Sequence, residues 1–284
     1  MMPMRPGRST TWQVIMGRDS SFAARLRWWR QRRGLSQLAL AHATEISQRH
    51  VSFLERERTA PSRDMVLRLA AALDLPFREQ NGLLLAAGFA PAWRESALGA
   101  PELALVERAL DYMLIQQEPY PAFVVDRRWQ LLRANPAGQR LVRFLTGSPA
   151  WKPDPASPVN LADALVAPNA LRPFIRNWRE VALYFLRSVR ADALADGSGE
   201  TAALLERLLA YPDVPGVAEI PPMADAEEPV VTMQFGKGET SLNLFTTIAT
   251  LGTARDVTVQ EIRIECFFPA DAATAETFRK WAAQ

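Results

Sequence analysis

Between Phe22 and Ala87 apolar residues return every three to four positions in five short bursts, punctuated by glycine, proline or serine. Phe22, Leu26 and Trp29 make one stripe, with Arg25, Arg27, Arg30, Arg32 and Arg33 on the opposite face, and Gly34 ends the helix they predict. Ser36 is a good N-cap for a second helix from Gln37 through Leu38, Ala39, Leu40 and Ala41. A short link, Ala43 to Ile46, leads to Ser47, another N-cap. The third helix follows it, with Val51 and Leu54 facing inward and Glu55 near its end. Pro61-Ser62 opens a fourth helix bearing Met65, Val66, Leu69 and Leu73, which Pro76 stops. A fifth runs from about Phe77 to Ala87, closed by Gly88.

Beyond a Pro- and Gly-punctuated stretch, Ala90 to Pro101, the pattern changes. Leu103 to Gln116 reads as a helix. Ala122 to Val125 and Trp129 to Ala134 read as strands around an Asp126-Arg127-Arg128 turn, and Asn135-Pro136 opens a short helix. Leu171 to Arg190 reads as one long amphipathic helix, and Thr201 to Ala210 as another. Three strands are expected over 230–235, 241–251 and 257–268, and Thr274 to Ala283 closes as a helix. The organisation expected is a tail over 1–19 without fixed structure, an all-α five-helix domain over 20–90, a linker over 91–101, and an α+β domain with an antiparallel sheet over 102–284.

Composition sharpens this division. Of the 284 residues, 48% are apolar, ordinary for a packed core. The net charge of +2 hides an asymmetry: residues 1–90 hold 14 Arg, no Lys and 7 acidic side chains, an excess of +7, whereas the remainder carries an excess of −5. A basic module for a polyanion joined to a neutral-to-acidic one fits that split. A GC-rich genome accounts for arginine replacing lysine, but not for its concentration at one end. No apolar run reaches the roughly 18 residues that span a bilayer, and the N-terminal stretch has no apolar core of a signal peptide. One cysteine, Cys266, allows no internal disulfide, so a cytoplasmic setting is expected.

Two short helices joined by a tight link inside a five-helix bundle give helix-turn-helix geometry, in which the second helix enters the major groove. Gln48 and Arg49 follow the cap as its first exposed side chains, suited to bidentate pairing with adenine and guanine. Gln37, at the start of the preceding helix, can hold a phosphate. Ser47, His50, Ser52, Arg56, Arg58 and Arg63 complete the candidate DNA contacts. Phe53 can touch a thymine methyl or simply pack. The run GLSQLALAHATEISQRHVSFLERERTAPSRDMVLRLAAALDLP resembles the XRE-type (Cro/repressor-like) helix-turn-helix domain. It carries Glu45 where the turn often has glycine, which asks for an uncommon backbone shape.

Two strands, a set of helices and three antiparallel strands follow the order of a PAS-like sensor domain. RANPAG (133–138), LRPFIRNWREVA (171–182), LLAYPDVP (208–215) and LFTTIATLGTARDVTVQEIRIECFFPAD (244–271), together with the helix-turn-helix, resemble the MmyB-like transcription regulators. The resemblance implies a dimeric regulator, here expected to be a homodimer on double-stranded DNA, and a ligand of fatty-acid type in the second domain; no resident cofactor is expected. Candidate pocket residues are Phe123, Val125, Trp129, Trp178, Val181, Phe185, Phe245, Thr247 and Phe267, with Asn177, Arg172 and Arg176 as polar anchors.

Both histidines, His42 and His50, lie in the basic part, leaving none in the second domain for haem or zinc. There is no Gly-rich phosphate loop and no CxxC, and Cys266 sits in an apolar strand pattern. Two rivals to a ligand sensor remain: a second domain that only dimerises, and an enzyme under a DNA-binding regulatory domain.

Overall fold

The computed structural model describes residues 21–148, 158–197, 199–219 and 230–284. The tail expected over 1–19 lies outside them. The chain divides into two compact units, with the boundary between Arg94 and Glu95 and with Ala195–Gly199 grouped with the first.

The first unit holds five helices: α1 (Phe22–Arg32), α2 (Gln37–Thr44), α3 (Gln48–Leu54), α4 (Arg63–Ala72) and α5 (Phe77–Ala86). Serine oxygens start the first four: Ser21, Ser36, Ser47 and Ser62 each accept a backbone N–H from three residues on, satisfying a donor that the first turn would otherwise leave open. Leu26, Trp29, Leu40, Val51, Leu54, Val66, Leu69 and Leu84 fill one core. Glu45 adopts φ 55°, ψ 39° at the end of α2, the left-handed turn that the missing glycine implied.

The second unit contains α6 (Ala104–Gln116), β1 (Ala122–Val125), β2 (Leu131–Ala134), α7 (Pro136–Thr146), α8 (Leu161–Val166), α9 (Trp178–Asp196), α10 (Gly199–Leu209), β3 (Met233–Lys237), β4 (Thr240–Thr250), α11 (Val257–Glu261), β5 (Arg263–Pro269) and α12 (Ala272–Ala282). The strands form one antiparallel sheet in the order β2-β1-β5-β4-β3. This is the expected PAS-like α+β architecture.

The RANPAG stretch explains itself. Asn135 is 1% exposed and caps α7. Its Oδ1 accepts from Gly138 N (2.8 Å) and Ala122 N (2.9 Å), and its Nδ2 donates to Tyr120 O (2.8 Å). Pro136 occupies the first helical turn, where no N–H is needed. A Cβ on Gly138 would strike the Phe123 ring, so glycine lets α7 lie against β1.

Two segments differ from the sequence expectation. The helix expected from Leu171 begins only at Trp178. Pro173 confines Arg172–Phe174 to a single 3-10 turn, and Ile175 then pairs with Phe235 at the edge of β3. The strand expected from Val257 begins at Arg263, because Asp256 accepts from Thr258 N (2.9 Å) and starts a short helix first. The 91–101 stretch is tied at both ends. Trp93 stacks on Phe77 (3.8 Å between centroids) and its N–H donates to Asn81, while Ser96 donates to Asp256.

Candidate functional site

In the first unit α3, the second helix of the helix-turn-helix pair, is seven residues long and cannot hold itself. Ser47 Oγ is occupied as its cap, accepting from His50 N at 3.1 Å. The other end is fixed by Glu55, 2% exposed. Its carboxylate takes a forked pair from Arg30 of α1 (Nε–Oε1 2.6 Å, Nη2–Oε2 3.0 Å) and a bond from Gln37 Nε2 of α2 (2.8 Å). A bidentate arginine on a buried carboxylate is geometrically specific, so the three helices share one ionic knot. Gln37, expected at a phosphate, therefore spends its side-chain amide on Glu55 and keeps its backbone N–H at the start of α2. Gln48, Arg49, Arg56 and Arg58 are exposed, and His50 and Ser52 are half-buried. Phe53 lies under two of them, with the Arg49 and Arg58 guanidinium carbons 5.1 and 5.9 Å from its ring centroid. It packs as a shelf for the arginines. The sequence pattern had not pointed to the Glu55 knot. A lone glutamate after an apolar helix face is the only trace it leaves.

In the second unit a cavity of about 290 Å³ lies against one face of the sheet. The sheet contributes Phe123, Phe235, Met233, Thr246, Ile248, Glu265 and Phe267. Leu161 and Leu165 of α8 and Val181, Tyr184, Phe185 and Ser188 of α9 face them, and Trp129, Leu171, Val230 and Val231 complete the lining. Tyr184, Ile248 and Val230 are 43–45% exposed and mark the mouth.

Of the expected pocket residues, the cavity brings together Phe123, Trp129, Val181, Phe185 and Phe267. Phe245 and Thr247 stand on the other face. Thr246 pairs with Phe267 and Ile248 with Glu265, so strand alternation turns the odd-numbered residues of β4 away. Phe245 stacks there on Phe268 (5.5 Å). Val125 and Trp178 are packed into an adjoining apolar cluster, and Trp178 Nε1 donates to Leu165 O (3.0 Å).

The three polar anchors are engaged elsewhere. Asn177 acts as a strand surrogate on β3, accepting from Gln234 N (3.0 Å) and donating to Thr232 O (2.7 Å). Arg176 crosses Gly236, where a Cβ would run into its guanidinium, and reaches Ser241 Oγ (3.2 Å). Arg172 stacks on Trp178 (3.7 Å) and donates to Pro212 O and Asp213.

Two lining residues are chemically unusual. Glu265 is 9% exposed, and burial pushes its carboxyl up to about 7 against a smaller lowering by the Thr246 hydroxyl. Trp129 is 3% exposed, has φ 63°, and its Nε1 has no partner among the described residues. Left-handed backbone at a bulky residue is strained and clusters at functional sites. On the opposite face, burial and then the neighbouring Glu265 raise the Cys266 thiol, which keeps it protonated. Among the described residues no group of His, Cys, Asp or Glu is placed to hold a metal ion, and no helix is long and apolar enough to cross a membrane.

The first unit is a helical bundle with a helix-turn-helix pair, and the second is an antiparallel α+β unit with a cavity against its sheet, the parts of a regulator with a separate sensing domain. Comparison with known families bears this out: the model described as "MmyB-like transcription regulator ligand binding domain" matches residues 106–280, and that described as "Helix-turn-helix" matches 26–80. The chain belongs to the MmyB-like transcription regulators; it is a DNA-binding regulator with a ligand-binding domain. No curated protein matches it. A solved structure described as "Structure of an RNA-binding Light-Oxygen-Voltage Receptor" is similar at 12% identity and a TM-score of 0.25, over 99% of this chain and 70% of that one, a likeness too low to define a shared fold.

The raised Glu265 carboxyl has a stability consequence. In the unfolded chain it ionises near its ordinary value, and in the fold only near 7. The folded form thus holds a proton that the unfolded form has lost, and stability falls as pH rises through that window, then levels off. Glu265→Gln should raise stability by about 3 kcal/mol at pH 8, by linkage at about 1.4 kcal/mol per pH unit. The gain should shrink toward pH 5, as urea unfolding at both pH values would show. An equal gain at both would contradict a buried, protonated carboxyl.

Proposed function

We propose that this regulator reads a specific DNA sequence through α3 and is switched by a small, largely apolar molecule held in the cavity of its second unit. The cavity carries the reading: it has apolar and aromatic walls with few polar groups, the composition of small-molecule sites. An enclosed apolar cavity of roughly half that volume suffices for a benzene-sized ligand.

A fatty acid, the ligand implied by the resemblance to the family, has a chain suited to these walls. Gln48 and Arg49 read base edges. Arg56, Arg58 and the Gln37 backbone N–H meet phosphates, and His50, Ser52 and Arg63 flank them. The protein works as a cytoplasmic homodimer with no resident cofactor, its two copies of α3 about one helical turn apart on a pseudo-palindromic site. A purely dimerising second unit is the second reading. It draws support from α6, where Leu105, Tyr112 and Ile115 are 65–71% exposed along one face, a stripe that a second copy would cover.

Mass spectrometry on an organic extract of the purified, denatured protein separates the two. A stoichiometric lipid or other apolar molecule supports a sensor, and its identity tests the fatty-acid assignment. An empty extract, with no stabilisation by any apolar compound, leaves the dimerising role. Arg49→Ala should cost roughly 1–3 kcal/mol at one base position and flatten the preference there. Equal weakening on all sequences would remove Arg49 from base reading.

A further inference from the structure

The cavity lining points to how a carboxyl head is held, on the reading of the second unit as a fatty-acid-binding domain. Apart from the Trp129 ring, the polar side chains among the described lining residues are Thr246 and Glu265 of the sheet, with Tyr184 and Ser188 one turn apart on α9. Glu265 is the one carboxyl among them.

Glu265 is placed there by sheet register. It pairs with Phe123 of β1 and Ile248 of β4, both lining residues, so strand alternation turns its side chain to the cavity face. Thr246 stands diagonally from it on the same face, and its hydroxyl hydrogen-bonds to the carboxyl. One such bond engages one of the two carboxyl oxygens. Among the described residues, few charged or titratable groups surround Glu265. From α9 come Tyr184 at the mouth and Asp192, which is paired with Arg263, two residues back on β5. Strands β1 and β4 set the apolar Phe123 and Ile248 beside it, and Cys266 lies on the opposite face. Both histidines of the chain, His42 and His50, belong to the first unit.

Two carboxyl groups within hydrogen-bond distance, away from water, do not both ionise; they share one proton. A fatty acid whose head reaches Glu265 meets that condition. The Glu265 O–H then donates to the ligand carboxylate, while the Thr246 hydroxyl donates to the other Glu265 oxygen. Burial already favours the protonated form of Glu265, which prepares the pair.

We infer that Glu265 is the head-group residue of the cavity and holds the carboxyl of a fatty acid in an acid–acid pair, so that the ligand binds together with one proton. The apolar walls hold the chain. The second unit then loads more readily in mildly acidic than in alkaline conditions.

The test titrates decanoate and decanol calorimetrically into the full-length protein, below their solubility limits, at pH 6.5, 7.5 and 8.5. Above about 7 the ligand-free protein has lost the proton that the pair needs, so binding must draw it from solution, and decanoate affinity should fall roughly tenfold from pH 7.5 to pH 8.5. At pH 8.5 the binding heat should vary with the ionisation enthalpy of the buffer, as uptake of about one proton requires. Decanol, whose hydroxyl can donate to Glu265 or accept from it, should show little dependence on pH. These arms need no variant to fold. In Glu265→Gln the side-chain amide keeps a donor without titrating, so decanoate should still bind and its pH dependence should vanish.

A decanoate affinity that stays level across this range with no proton uptake, or a pH dependence that survives Glu265→Gln, overturns the inference, and decanol binding alongside it keeps the cavity as an apolar-ligand site. Decanol binding without decanoate removes both Glu265 as the carboxyl holder and the fatty acid as the ligand. Failure of both probes removes the ligand-binding reading, and the inference with it.

Discussion

Strand alternation in one pair, β4 against β5, decides what the second unit can do. Thr246, Ile248, Glu265 and Phe267 fall on the cavity face, while Thr247, Cys266 and Phe268 fall on the other. A slip of one residue would exchange the two sets. It would put a glutamate against Leu110, Leu114 and Val124, in the apolar cluster beneath α6. The register is held from several sides: Asn243 N donates to Thr274 Oγ1 of α12 (2.9 Å), and Gln117 Nε2 donates to Phe267 O (2.7 Å). The segment Ile175–Asn177 seals the β3 edge, which would otherwise present unpaired backbone.

Much of this was legible in the chain. Hydroxyl caps, apolar spacing and the basic excess pointed to all five N-terminal helices, because capping and periodicity are local effects that one sequence carries in full. The alternation of Ile262, Ile264, Cys266 and Phe268 was visible too, and those residues do share a face. Which face held the cavity was not visible. That depends on how β5 lies against β4, a pairing between residues about 20 apart that periodicity alone does not fix. Phe245 and Thr247 were expected in the pocket for this reason, and Glu265 and Thr246 were missed. Asn177 drew attention as a polar side chain beside an apolar face. Its partners are the β3 backbone, which could be found only once Pro173 was seen to delay the helix.

The first unit shows a parallel economy. Helix α3 is too short to persist alone, and its placement rests on Glu55 meeting Arg30 and Gln37. Truncating one member of a buried ion pair leaves the other charge uncompensated, which costs far more than an exposed pair is worth. The exposed groups of α3 are thereby freed from structural duty. Arg49 lies over the Phe53 ring, a contact that narrows the conformations open to its side chain.

A regulator built from these parts responds to a ligand only as far as the ligand prefers one DNA-binding arrangement over another. The most direct measurement is the affinity of the purified protein for its own DNA site, enriched from a random pool and followed by fluorescence anisotropy at fixed salt, with the cavity loaded and with it stripped by organic extraction and refolding. A ligand-switched regulator gives two different dissociation constants for the enriched site, and the same weak binding to unrelated DNA in both states. Identical constants for loaded and stripped protein would contradict the switch and leave a DNA-binding protein whose cavity has no say in where it binds.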